Sequence, residues 1–311
     1  MDIFLLLLSF VLLVQSAKVF VDASVAIAKR LKIPPLVIGL TVVAMGTSAP
    51  EVVISVSAAI GGSSDLAIAN VVGANIFNLL FIVGFCAIIY PISVKMKTIA
   101  RDYWASVAVT VLLLGMVVVF GDAIPRLGGL ALLLGFAAYM FIVVRSALKS
   151  KGDTDVEERS SNRPLWQHIL LAILGVAVII GAGQLTVFSA TNIASIIGIS
   201  ERVIGLTIVA VGTSLPEIVT TLVACRKKEG EFAVGFIIGS SIFNIAFVLG
   251  LSGLIMPLAI DPGVFLDMAV LVGGTLTFFV FAKSSERVVR MEGLAMVLIY
   301  VGYMAWVVIN P

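Results

Sequence analysis

Apolar residues come in ten long stretches, near 3–26, 35–60, 66–90, 103–120, 127–147, 166–189, 202–225, 232–257, 264–282 and 292–309, separated by short polar connections. An α-helix rises 1.5 Å per residue, so about 20 mostly apolar residues cross the hydrocarbon layer of a bilayer. The pattern predicts an all-α integral membrane protein of ten transmembrane helices. The most polar connection, 148–165, carries Lys149, Lys151, Asp153, Asp155, Glu157, Glu158, Arg159 and Arg163. It divides the chain into five spans before it, within 1–147, and five after it, within 166–311. It is too short for a folded regulatory domain, and its acidic run reads as a solvated linker. The N-terminal stretch has no basic residue before it, and Lys18 follows it. That is the reverse of a secretory signal, so the stretch is expected to be the first permanent span.

Composition agrees. Hydrophobic residues make up 60% of the chain, charged residues 12%, and mean hydropathy is +1.19; a soluble domain carries roughly 25% charged residues. A net charge of +2 without a long basic run gives no reason to expect a nucleic-acid partner. Cys86 and Cys225 lie in or beside apolar runs, so no disulfide framework is indicated, and His168 is expected at a membrane interface. Charge placement then orients the spans. Seventeen Lys and Arg residues fall in connections that follow odd-numbered spans, against Arg126 and Arg202 in the others. The positive-inside rule puts the basic connections in the cytoplasm and both termini outside a cell membrane.

The chain also repeats itself. VIGLTVVAMGTSAPE (37–51) and VIGLTIVAVGTSLPE (203–217) match at 12 of 15 positions, at an offset of 166. At the same offset VGANIFNLLFIVG (72–84) faces IGSSIFNIAFVLG (238–250). Each half has an odd number of spans, so the second half enters the membrane from the opposite side. This predicts inverted repeats, a construction that places binding sites at the midplane between the halves.

Glu51 and Glu217 are each the only acid in their span, and placing an ionised group at mid-bilayer costs on the order of 3 kcal/mol. No Lys or Arg lies at comparable depth in spans 2, 3, 7 or 8, so neutralising an internal cation is a poor account of them. Pro50 and Pro216 precede the two acids. A proline inside a helix leaves the carbonyl four residues back without its partner, and a broken helix at membrane depth is tolerated where it lines a cavity. Spans 2, 3, 7 and 8 are therefore expected to be broken helices around a midplane site. Carbonyls, hydroxyls and carboxylates make an all-oxygen set suited to hard cations such as Ca2+, which takes six to eight oxygens at about 2.3–2.6 Å, or Na+. Zinc or copper would call for His or Cys. Asn78 and Asn244 occupy matching positions and can line the centre. Ala69, Gly73, Gly235 and Gly239 read as helix-packing positions, and Asp22, Asp102 and Asp122 as interfacial ones.

GTSAPE (46–51) and GTSLPE (212–217), with GANIFN (73–78) and GSSIFN (239–244), resemble the two alpha-repeats of the Ca2+/cation antiporter superfamily, and within it the prokaryotic sodium/calcium exchangers. The resemblance extends over essentially the whole chain. It implies a Ca2+ site made by Glu51, Glu217 and the backbone oxygens of Thr47 and Thr213. It implies Na+ sites using Ser48, Ser214, Ser240 and the carbonyls of Ala44 and Ala210, with Asn78 and Asn244 lining the middle. Two departures stand out. Ala74 replaces a serine common in the family, which removes a hydroxyl from one Na+ site. Asn244 stands where potassium-dependent relatives use an Asp, which implies K+-independent exchange. The function implied is secondary antiport of Ca2+ against Na+ by alternating access, with no enzyme activity and no cofactor. The bilayer and the transported ions are the partners; the sequence does not set the oligomeric state, and a monomer is compatible with it. A proton/calcium exchanger of the same fold is the alternative; that branch usually has an Asn-containing motif where this chain has the Thr-Ser pair. An intramembrane hydrolase is a more distant one, since it would need a nucleophile–base pair or a metal-bound water.

Overall fold

A computed structural model describes residues 2–62, 64–149, 163–196, 210–261 and 263–309. Long helices dominate: α1 (Asp2–Leu31), α2 (Pro35–Thr47), α3 (Ala49–Ile60), α4 (Leu66–Ile89), α5 (Met96–Phe120), α6 (Arg126–Lys149), α7 (Leu165–Ile196), α8 (Leu215–Arg226), α9 (Gly230–Ile255), α10 (Val264–Ser285) and α11 (Arg290–Ile309). One further helical turn, Ala210–Thr213, precedes α8. Among the described residues eight helices are long and apolar enough to cross a membrane, and the bent pair α2–α3 makes a ninth span. The expected seventh span, 202–225, begins outside the described residues, as do Arg202 and most of the linker.

The predicted breaks take two forms. Spans 2 and 7 are interrupted: α2 and α3 meet at Ser48 with a 50° bend, and Ser214 separates Ala210–Thr213 from α8. Spans 3 and 8 run on without a gap. Their interruption is a wider π-helical stretch, Phe77–Ile82 inside α4 and Phe243–Leu249 inside α9. A π-helical turn shifts the backbone ladder by one residue without ending it, which is why these spans stay continuous.

Packing repeats at the same offset as the sequence. α4 meets α11 through Gly84, where an added Cβ would lie 2.7 Å from the Gly293 carbonyl oxygen. Its counterpart Gly250, on α9, meets α6 at Gly129 and Leu133. Phe77 and Phe81 stack at 4.9 Å beside Tyr300, and Phe243 and Phe247 stack at 4.8 Å beside Phe136. Gly235 and Gly239 bring α9 against the backbone of Leu36 and Leu40 on α2, as small residues at a helix crossing should. Ala69 is instead exposed, and Gly73 has no described neighbour within 4 Å of an added Cβ.

Two short antiparallel pairs tie the halves together: β1 (Ile92–Ser93) with β4 (Arg287–Val288), and β2 (Ala123–Ile124) with β3 (Leu258–Ala259). Each joins a connection from the first half to one from the second. Asp102, expected at an interface, is buried at the start of α5, bound by Arg101 at 2.9 Å and by the Tyr139 hydroxyl at 3.2 Å. The arginine and the tyrosine satisfy its oxygens, so it need not face water.

Candidate ion-binding site

Each half contributes a helix that stops and restarts next to a glutamate. Ser48 (φ −80°, ψ 13°) and Ser214 (φ −93°, ψ 5°) leave helical geometry at equivalent points. The new helix begins one residue later, with Pro50 or Pro216 in its first turn. A proline is well placed there, because the first turn's N–H groups have no intrahelical partner to lose. Glu51 and Glu217 follow directly, also in the first turn, where the positive end of the helix dipole favours a carboxylate. The prolines thus favour the restart, while the serines mark the break.

Helix crossings bring the two glutamates together. α3 packs on α4 and on the π-helical part of α9, while α8 packs on α9 and on the π-helical part of α4. Glu51 is 3% exposed and Glu217 is 1% exposed, on helices that pack against the same two neighbours, α4 and α9. Among the described residues neither forms an ion pair. Oε2 of Glu51 and both carboxylate oxygens of Glu217 have no hydrogen-bond partner.

The surrounding donors are oxygens. Ser48, Ser240, Asn78 and Asn244 are buried, and Ser48 Oγ, Ser240 Oγ and both amide Oδ1 atoms are likewise without partners. Ser214 is buried beside Pro216 and Glu217. Thr47 is fully buried next to Glu217, but its hydroxyl donates to the carbonyls of Val43 and Ala44 at 3.1 and 3.4 Å. The Ala44 carbonyl also accepts the Ser48 N–H at 3.1 Å. Thr213 and Ala210 lie in the turn before Ser214, and Ala74, opposite Ser240 in the repeat, is only half-buried.

A buried polar atom left unsatisfied costs on the order of 1–3 kcal/mol, and more when charged. A concentration of such oxygens around two carboxylates is unfavourable by itself. It becomes favourable when a hard cation is shared among them. The donor set fits such an ion, and among the described residues no cluster of three or more His, Cys, Asp or Glu side chains suggests a softer metal.

Three polar positions were not singled out from the sequence. Asn75, fully buried, donates to the Ser241 carbonyl at 3.4 Å and accepts from Asn244 Nδ2 at 3.3 Å. Its counterpart is Ser241, so the doubled pattern did not mark it. Ser55 and Thr221 are fully buried one turn beyond each glutamate, on the same helix face. Ser55 accepts from Asn70 at 2.9 Å, while the Thr221 hydroxyl has no partner. Both are hydroxyls at the offset of 166, a signal that was present in the sequence.

Comparison with known proteins places this arrangement. The sodium/calcium exchanger protein family model matches residues 1–145 and 167–309. The chain is 38% identical over 306 residues to CaxA of Alkalimonas amylolytica, covering 96% of this chain and 95% of that one. It is 32% identical over 339 residues to the sodium/calcium exchanger MaX1 of Methanosarcina acetivorans, covering 96% of each. A solved structure of the sodium-calcium exchanger NCX_Mj, soaked with zero Na+ and Ca2+, superposes with a TM-score of 0.85 at 30% identity, covering 98% of each chain. The inverted halves, the interrupted helices and the paired glutamates all sit in a chain that belongs to the sodium/calcium exchanger protein family, a family of membrane transporters and not of enzymes.

Proposed function

We propose that this protein exchanges Ca2+ for Na+ across a cell membrane by alternating access, without K+. The halves 1–147 and 166–311 act as inverted five-helix repeats joined by a cytoplasmic linker, 148–165, with both termini outside. The observation that carries the reading is the pair of buried carboxylates, Glu51 and Glu217, whose unpartnered oxygens face no basic side chain among the described residues.

In this reading Ca2+ is held by Glu51, Glu217 and the backbone oxygens of Thr47 and Thr213. Two negative charges balance one Ca2+ or two Na+, so the ions compete for one charge-compensated centre. Na+ is held on either side by Ser48, Ser214, Ser240 and the carbonyls of Ala44 and Ala210. A Na+ at the Ala44 carbonyl displaces the longer of its two hydrogen bonds, that from Thr47 at 3.4 Å. Asn78 and Asn244 line the middle with amide oxygens. Because Asn244 is neutral, no third carboxylate requires a further cation, which supports K+-independent exchange.

The test is Ca2+ uptake into proteoliposomes loaded with Na+, with and without external K+, compared with liposomes carrying only a pH gradient. Uptake that needs the Na+ gradient and ignores K+ supports the reading. Uptake driven by the pH gradient alone assigns the counter-ion to H+.

A further inference from the structure

The amide pair between the repeats fixes an orientation. The backbone carbonyl of Ser241 can only accept a hydrogen bond, and Asn75 reaches it with Nδ2 at 3.4 Å. An amide side chain carries its donor on one arm and its acceptor on the other. With its nitrogen committed to Ser241, Asn75 presents Oδ1 to residue 244, and Asn244 meets it with Nδ2 at 3.3 Å. The Asn244 oxygen is thereby turned to the opposite side, fully buried and without a partner. Rotating Asn75 would set its oxygen against the Ser241 carbonyl. Rotating Asn244 would set two amide oxygens against each other. Either reversal opposes two acceptors away from water, where such an arrangement is costly. One carbonyl that can never become a donor thus orients both amides.

Among the described residues the relay occurs once. The position equivalent to Asn75 is Ser241, whose hydroxyl donates to the Ile237 carbonyl at 3.0 Å and takes no part in a matching contact with Asn78. The asymmetry between the halves at this point is therefore chemical as well as sequential.

We propose that Asn75 is a positioning and specificity residue of the ion site. Anchored on the Ser241 carbonyl, it turns the Asn244 oxygen toward the cations. By offering residue 244 only an acceptor, it also excludes an ionised carboxylate there. The inference rests on the ion-site reading above and deepens it. Asn75 holds the charge of the centre at the two carboxylates of Glu51 and Glu217, and with it the number of cations that balance the centre.

The test is a double-mutant cycle on the full chain: wild type, N75S, N244D and N75S/N244D. Each is measured for thermal stability in detergent without Ca2+ and for Na+-driven Ca2+ uptake in proteoliposomes. Serine at 75 removes the fixed acceptor and offers a hydroxyl that donates to a carboxylate directly or through a water. N244D alone is expected to melt about 5 °C or more below wild type and to exchange at about a tenth of its rate or less. N75S is expected to keep its fold while its apparent Ca2+ affinity falls several-fold, because the Asn244 oxygen is free to turn away. N75S/N244D is expected to recover at least half of the melting loss of N244D. If N244D yields no folded protein, recovery of folded yield in the double variant reads the same coupling. N244D as stable as wild type, or losses that simply add in the double variant, would overturn the proposal. The stability cycle does not depend on transport: coupling in a wild type that fails to exchange Ca2+ would sink the proposed function alone, and additive losses in an active exchanger would sink this inference alone.

Discussion

A carboxylate in the first turn of a restarted helix keeps its charge at mid-bilayer only if something cationic shares it, and among the described residues no side chain does so. Glu51→Gln and Glu217→Gln should therefore each nearly abolish Ca2+ transport while leaving the fold intact, since the amide removes the charge and keeps the shape. Wild-type exchange by either variant would contradict a shared site. The serines make a finer prediction. Ser240 Oγ is buried and unpartnered, whereas Ala74, its counterpart, has no oxygen to give. One ligand to a charged group contributes about 1–2 kcal/mol net, or roughly five- to thirtyfold in affinity. Ser240→Ala should weaken, and Ala74→Ser strengthen, the apparent Na+ affinity, with Ca2+ affinity little changed; titration of Na+-driven exchange in both variants measures it. At this scale the glutamates, Ser48, Ser214 and Asn244 were legible as candidates because they recur at a fixed offset, whereas Ser240 came from the family resemblance. Asn75 was not legible, because its role comes from a carbonyl on another helix and its counterpart is a different residue.

Helix crossings set where those residues meet. α9 sits at the centre, and Gly239 lets it approach α2 so closely that an added Cβ would lie 2.5 Å from the Leu40 carbonyl oxygen. Gly239→Val should destabilise by about 1–3 kcal/mol through overpacking, seen as a drop in melting temperature. Gly115→Ala should be neutral or stabilising, because Gly115 is exposed on α5 and nothing lies near its added carbon. A Gly239 variant that melts with wild type would mean that α2 and α9 do not need this contact. The breaks in spans 2 and 7 were legible from Pro50 and Pro216, although the prolines stabilise the restart and the serines carry the irregular backbone. The π-helical stretches in α4 and α9 were not legible. Apart from Asn78 and Asn244, apolar residues fill them, and nothing in their spacing marks the shift in hydrogen bonding.

For the molecule as a whole, the paired strands constrain the path of the chain. Bonded strands share one side of the membrane, so an even number of crossings must separate β2 from β3. Three long helices, α6, α7 and α9, lie between them, and in the ten-span topology proposed above the fourth crossing is the one that ends in α8. By the same reasoning a single crossing, α5, puts β1 opposite β2. In a background with Cys86 and Cys225 replaced by serine, a cysteine at Lys95 should react only from the cytoplasm. Cysteines at Asp122 and Asp261 should react only from outside. Labelling of all three from one side would overturn both the positive-inside orientation and the parity. The eight long apolar helices and the bent pair α2–α3 could be read from hydropathy. The strand clamps could not, since two-residue strands carry no periodic signal.

The central claim is that one buried pair of carboxylates couples Ca2+ to Na+. Its most direct measurement is the Na+ dependence of Ca2+ uptake into proteoliposomes containing either the wild type or Glu217→Gln, with the pH clamped on both sides. The account predicts uptake in the wild type that rises with the outward Na+ gradient and vanishes without it, and no uptake above protein-free liposomes in the variant. Ca2+ uptake by the wild type that is indifferent to the Na+ gradient, or Na+-driven uptake that survives the loss of the carboxylate, would contradict it.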